Sequence, residues 1–223
     1  MIDLAIFDLD GTLVDTPSGI VQAFAATFAE LGDVDPSDRA IRRTIGMPLA
    51  VAFRSLLGTG TAESDIDNHI ATYQQKFAEL VLPKAESLVY PGVTDGLDRL
   101  KASGVPLAIA TSKFHANANA LLSAAKLDSR FSLIVGADEV DRPKPSPDMG
   151  EFVLRTMNIH PGRAVMVGDT THDILMARAV GIRSIAVTYG VHDRQELIAS
   201  KPTWIADDFL SATRILTTVT VGA

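Results

Sequence analysis

The stretch "LAIFDLDGT" (residues 4–12) carries a short apolar run straight into two carboxylates, Asp8 and Asp10, separated by one residue. Side chains of a strand alternate faces, so the two project together if the extended backbone persists that far. Carboxylates held close raise each other's proton affinity. Either a cation sits between them or one of them keeps a proton, and both arrangements are chemical ones. Further polar groups end other apolar runs: Thr111-Ser112-Lys113 closes "PLAIAT" (106–111), and Gly168-Asp169 closes "AVMVGD" (164–169). Lys144 stands in a proline-framed loop, "RPKPSPD" (142–148), and Asp173 follows Asp169 by four positions.

The elements that position these groups can be read from periodicity. From about residue 88, helical segments alternate with short apolar strands at 106–111, 131–136, 164–169 and 184–189, and Trp204 belongs to a last short strand. That rhythm specifies an α/β fold, a Rossmann-like three-layer α/β/α core with a mainly parallel sheet covered on both faces. Between residues 16 and 87 the pattern is helical throughout, with segments at 18–32, 37–46, 48–58 and 62–80. Ile20, Phe24, Phe28 and Leu31 recur at helical spacing, and Pro48 suits a first helical turn. The expected organisation is therefore a core of residues 1–15 and 88–223 interrupted by an α-helical insert, 16–87. Ligands of open parallel sheets bind beyond the carboxyl ends of the strands, where the strand order reverses, and that is where these polar groups fall.

Composition narrows the classes. The 223 residues are 47% hydrophobic and 21% charged, enough for a sizeable core and unlike a disordered chain. A formal net charge of −7 argues against a general nucleic-acid binder, and the absence of cysteine excludes disulfides, thiolate metal sites and a cysteine nucleophile. The opening residues lack a basic leader, and no apolar run nears the roughly 20 residues that span a bilayer. The expectation is a cytoplasmic protein, monomer or homodimer, with neither nucleic acid nor membrane as partner. Its five histidines show no paired metal-ligand spacing.

Taken in order, "DLDGT" (8–12), "ATSK" (110–113), "RPKPSPD" (142–148) and "GDTTHD" (168–173) resemble the motifs of the haloacid dehalogenase superfamily. The branch with a helical cap inserted after the first motif, and within it the phosphoglycolate phosphatase group, is the most similar. The resemblance implies a Mg²⁺-dependent phosphoric monoester hydrolase acting on a small phosphorylated metabolite, with 2-phosphoglycolate the leading candidate. It makes Asp8 the nucleophile that forms an aspartyl-phosphate, and Asp10 the acid that protonates the leaving alcohol and then the base that activates water. Proximity to a like charge is expected to raise the proton affinity of Asp10. Thr111, assisted by the Ser112 amide, is to bind a phosphoryl oxygen, and Lys144 to neutralise the nucleophile and the phosphoryl charge. Gly11 permits the tight turn, Thr12 and neighbouring amides help to orient the site, and both residues are counted among those that bind substrate.

The implied metal ligands are Asp8, the backbone carbonyl of Asp10, Asp169 and Asp173. Asp169 also suits a helix N-cap, and Asp173 is open to holding waters or Lys144 instead of the ion. Asp15 is expected at the hinge into the cap. One of Arg42 and Arg43, with Arg43 preferred on resemblance, could bind a second anionic group of the substrate; the alternative is two solvated surface charges. Asp10 disfavours a dehalogenase or a phosphonate-cleaving enzyme. A sugar-phosphate mutase and a pyrophosphatase share the motifs and stay open, as does a phospho-accepting signalling switch. "DLDGT" in place of a glycine fingerprint counts against a nucleotide-cofactor protein.

Overall fold

Six short parallel strands form the sheet of the computed structural model, which describes residues 2–58 and 60–221. They are β1 (Leu4–Phe7), β2 (Leu107–Ala110), β3 (Leu133–Val135), β4 (Ala164–Gly168), β5 (Arg183–Val187) and β6 (Trp204–Ala206), in the order β3-β2-β1-β4-β5-β6. The chain walks outward from β1 to β3, then returns to the other side of β1 for the remaining strands. The reversal lies between β1 and β4, which pair from Leu4 with Ala164 to Phe7 with Val167.

Alternation along the strands divides the core into two faces. Ala5, Phe7, Ile109, Val165 and Val167 pack toward α5 (Val93–Ala102) and α10 (Phe209–Val221), where the Phe7 and Phe209 rings lie 5.9 Å apart. Leu4, Ile6, Ala108 and Met166 pack toward α7 (Asp148–Met157) and α8 (Thr171–Val180) through Met149, Val153 and Met176. Burial on both faces is why the central strands β1, β2 and β4 read as unbroken apolar runs. The helices α6 (His115–Ala124) and α9 (Arg194–Ala199) complete the outer layers.

Between β1 and α5 the chain forms α1 (Pro17–Leu31), α2 (Asp38–Arg42), α3 (Leu49–Leu57), α4 (Glu63–Leu80) and a 3-10 segment, Leu82–Leu88. Ile20, Phe24 and Phe28 are buried along one stripe of α1, as their spacing requires. Phe24 meets Tyr73 of α4 at 4.6 Å and Phe53 of α3 at 4.7 Å between ring centroids. The two chain crossings into this insert run side by side: Val14 bridges Val89, and Asp15 N–H donates to Leu88 O at 2.7 Å. Asp15 also accepts from the Tyr90 hydroxyl there.

Two local expectations change. The helix expected over 37–46 stops at Arg42, because the chain then turns tightly through Gly46 at φ +92°. Pro48 is the residue before the helix, extended at ψ 141°, and not a member of its first turn. Among the described residues no helix is long and apolar enough to cross a membrane.

Candidate active site

Strand β1 ends at Phe7, yet the Asp8 N–H still donates to Val167 O at 2.9 Å, so Asp8 continues the line of the strand into the reversal point. Beyond β4, Asp169 and Asp173 arrive from the turn and first turn of α8. Carboxylate oxygens of Asp8, Asp169 and Asp173 lie within 4.8 Å of one another, all buried. Small residues make the space: a Cβ on Gly11, which sits at φ +80°, or on Gly190 would overlap the Asp169 carboxylate. One on Gly168 would overlap Asp173.

Lys144 enters this cluster only 2% exposed. Its ammonium donates to Asp173 Oδ1 at 2.7 Å and to Ala110 O at 3.0 Å. It also forms an ion pair with Asp8 Oδ1 at 3.0 Å. Burial pushes Asp8 up to about 7 despite Lys144, with Asp173 and Asp10 adding to the rise. Burial likewise holds Asp169 well above the usual carboxylate range, with Asp8 and Asp173 contributing. For Lys144 burial favours the neutral amine, but Asp173 and Asp8 outweigh it and raise its proton affinity.

Three buried carboxylates thus face one ammonium. A hard divalent cation fits such an oxygen donor set and removes the excess negative charge. Asp169 is held in a ligating orientation, since Thr12 Oγ1 donates to its Oδ1 at 2.7 Å and Val191 N–H to its Oδ2 at 2.8 Å, leaving one lone pair on each oxygen. Asp173 is more heavily committed, because its Oδ2 accepts from the Thr170 amide and hydroxyl while Oδ1 holds Lys144.

Asp8 and Asp10 line one cavity, although Asp10 lies past the end of the strand. Asp10 accepts from Thr16 Oγ1 at 2.6 Å and pairs with Lys113 Nζ at 3.1 Å. Asp8 is the more deeply buried of the two acids. Thr111 and Ser112 line the same cavity. Ser112 reaches across to the insert, its hydroxyl donating to Gly46 O at 2.7 Å. Thr12, expected beside the substrate, is instead fully buried with its hydroxyl committed to Asp169. Neither Arg42 nor Arg43 lines the cavity; both are exposed in an adjoining groove with His172 and His192, and Arg42 donates to Ser18 Oγ at 3.3 Å.

Sequence reasoning assigned no role to several residues of the site. Lys113 lies inside the "ATSK" motif, but its pairing with Asp10 has no sequence signature. The Tyr189 hydroxyl donates to Thr12 O at 2.8 Å, and Val191 acts through its backbone amide, which any residue other than proline supplies.

The sequence profile of the haloacid dehalogenase-like hydrolases matches residues 5–187. A protein of Dickeya dadantii named "Probable phosphatase IndB" is 48% identical, over 92% of this chain and 90% of its own length. "Phosphoglycolate phosphatase 1" of Pseudomonas aeruginosa is 33% identical, over 92% of this chain and 76% of its own. Among solved structures, a haloacid dehalogenase-like family hydrolase of Streptococcus pneumoniae superposes with a TM-score of 0.81 at 30% identity, covering 96% of this chain and 98% of that one.

Proposed function

From the premise that this chain belongs to the haloacid dehalogenase-like hydrolase family and is a phosphomonoester phosphatase, we propose that it is Mg²⁺-dependent and works through an aspartyl-phosphate on Asp8. The observation that carries the reading is the convergence of three buried carboxylates, Asp8, Asp169 and Asp173, within 4.8 Å of one another beside a single ammonium. In this reading Asp8, the Asp10 carbonyl and Asp169 hold the ion, and Asp173 anchors Lys144 beside it. When bound, the cation supplies positive charge that keeps Asp8 ionised and offsets the charge of the phosphoryl oxygens.

The side chains divide the work. Asp8 attacks phosphorus as the ester bond breaks, and Asp10 gives its proton to the departing alcohol oxygen. Asp10 then takes a proton from water as that water attacks the aspartyl-phosphate, freeing phosphate and restoring Asp8. The Thr111 hydroxyl and the Ser112 amide orient phosphoryl oxygens, and Lys144 stabilises charge at Asp8 and the phosphoryl group. Residues 16–87 act as a cap domain that excludes water from the first step and admits it for the second. The partner is a small phosphorylated metabolite in the cytoplasm.

2-Phosphoglycolate heads the trial set because relatives at 30–33% identity carry it in their names. A hydrolysis screen over 2-phosphoglycolate, sugar phosphates, nucleotides and pyrophosphate, with Mg²⁺ and after exhaustive chelation, tests the reading. Release of phosphate that chelation abolishes and Mg²⁺ restores is expected; undiminished turnover after chelation overturns it.

A further inference from the structure

Across the cavity from the acids, the insert presents an apolar wall: Phe24, Ile45, Met47, Leu49, Tyr73 and Phe77. Its aromatic part is already assembled, with ring centroids 4.6 Å apart for Phe24 and Tyr73 and 6.0 Å apart for Tyr73 and Phe77. The Ser112 hydroxyl bound to Gly46 O fixes the loop that carries Ile45 and Met47 against the core.

Positive charge is scarce there. Among the residues lining the cavity, Lys113 is the one lysine or arginine. Its ammonium is already matched by Asp10 at 3.1 Å and sits 4.0 Å over the Phe77 ring. Lys144 is held by Asp8 and Asp173. On the insert, Arg39, Arg42 and Arg43 open onto the adjoining groove, Arg54 pairs with Glu63, Lys76 pairs with Glu30, and Lys84 is exposed outside the lining. A second anionic group on a bound substrate would lose hydration against apolar side chains and would have to share Lys113, the one cation among the described lining residues, with Asp10. An uncharged apolar or aromatic group in the same place gains by burial and by ring packing.

We propose that the cavity selects phosphomonoesters whose alcohol is uncharged and presents an apolar or aromatic face, and that it selects against a second anionic group such as a carboxylate. The inference rests on the phosphatase reading and narrows it. Gln74 and Asn117, also in the lining, supply hydrogen bonds to such an alcohol without charge.

The test compares kcat/KM of the Mg²⁺-loaded enzyme for benzyl phosphate, n-propyl phosphate and 2-phosphoglycolate. Benzyl phosphate should exceed 2-phosphoglycolate by at least about tenfold, with n-propyl phosphate not below it. Met47→Arg, at a half-buried wall position, should move the ratio toward the carboxylate ester. A wild-type preference for 2-phosphoglycolate overturns the inference and leaves the phosphatase reading standing. If no ester is turned over, the phosphatase reading fails. Calorimetric binding of the same esters to Asp8→Asn still decides the inference: tighter binding of benzyl phosphate supports it, and tighter binding of 2-phosphoglycolate overturns it.

Discussion

The two walls of the cavity are built on opposite principles. At the strand ends, Asp8, Asp169, Asp173 and Lys144 are buried polar groups held by specific short contacts. On the insert, Phe24, Tyr73 and Phe77 are buried aromatic groups held by ring packing, with the Lys113 ammonium over Phe77. A polar cluster in a low-dielectric interior fails if any member is lost, whereas an apolar wall tolerates changes of shape. In the proposed reading, chemistry therefore belongs to the side that cannot vary and choice of substrate to the side that can.

Substitutions can break that comparison. The largest effect belongs to Asp8→Asn, which should lower steady-state phosphatase turnover by at least about 10⁴-fold. Its melting temperature should hold or rise, since the change removes a buried acid whose ionisation is disfavoured. Lys144→Met comes next. It leaves buried carboxylates without their ammonium and should cost about 3 kcal/mol in denaturant unfolding of the metal-free protein, and less with Mg²⁺ bound.

The pH dependence sharpens the contrast further. Asp8 is raised from the ordinary 3.8 to about 7, so between those values the folded chain binds more protons than the unfolded one. Its contribution to stability is therefore greatest below about pH 4 and is lost as pH climbs through 7, the reverse of an ordinary paired carboxylate. Metal-free protein should melt several degrees lower at pH 8 than at pH 5, and saturating Mg²⁺ should flatten the difference by binding the ionised form. The smallest effect on chemistry is expected across the cavity. Phe77→Leu should change KM and the ranking of substrates while kcat for the best substrate stays within about tenfold.

Legibility in the sequence follows the same division. Strands buried on both faces read as apolar runs, and the acids that end them stand out, so the strand sites and Asp8 and Asp169 were visible, whereas Lys144, in a loop, stood out only through the order of the motifs. The helix α10 was not, because "FLSATRILTTVTV" is rich in β-branched residues and its helical state is imposed by packing of Phe209 and Ala212 on the sheet. The short helix α9 rests on a capping box between Asp193 and Glu196 that carries little periodicity. Arg43 drew notice as a charge near the expected site, but three residues beyond it the chain turns at Gly46, and the guanidinium lines the adjoining groove. The apolar wall was hidden for the opposite reason: Phe24 and Phe77 sit at spacings that any helix core would use.

Trapping the phosphoryl group tests the central claim most directly. Mg²⁺-loaded enzyme mixed with a turned-over phosphomonoester, quenched within a single turnover and mapped by mass spectrometry, should carry a hydroxylamine-sensitive phosphoryl adduct on Asp8. The adduct should be absent after chelation. An adduct on another residue, or phosphate release at full rate with none on Asp8, would contradict the account.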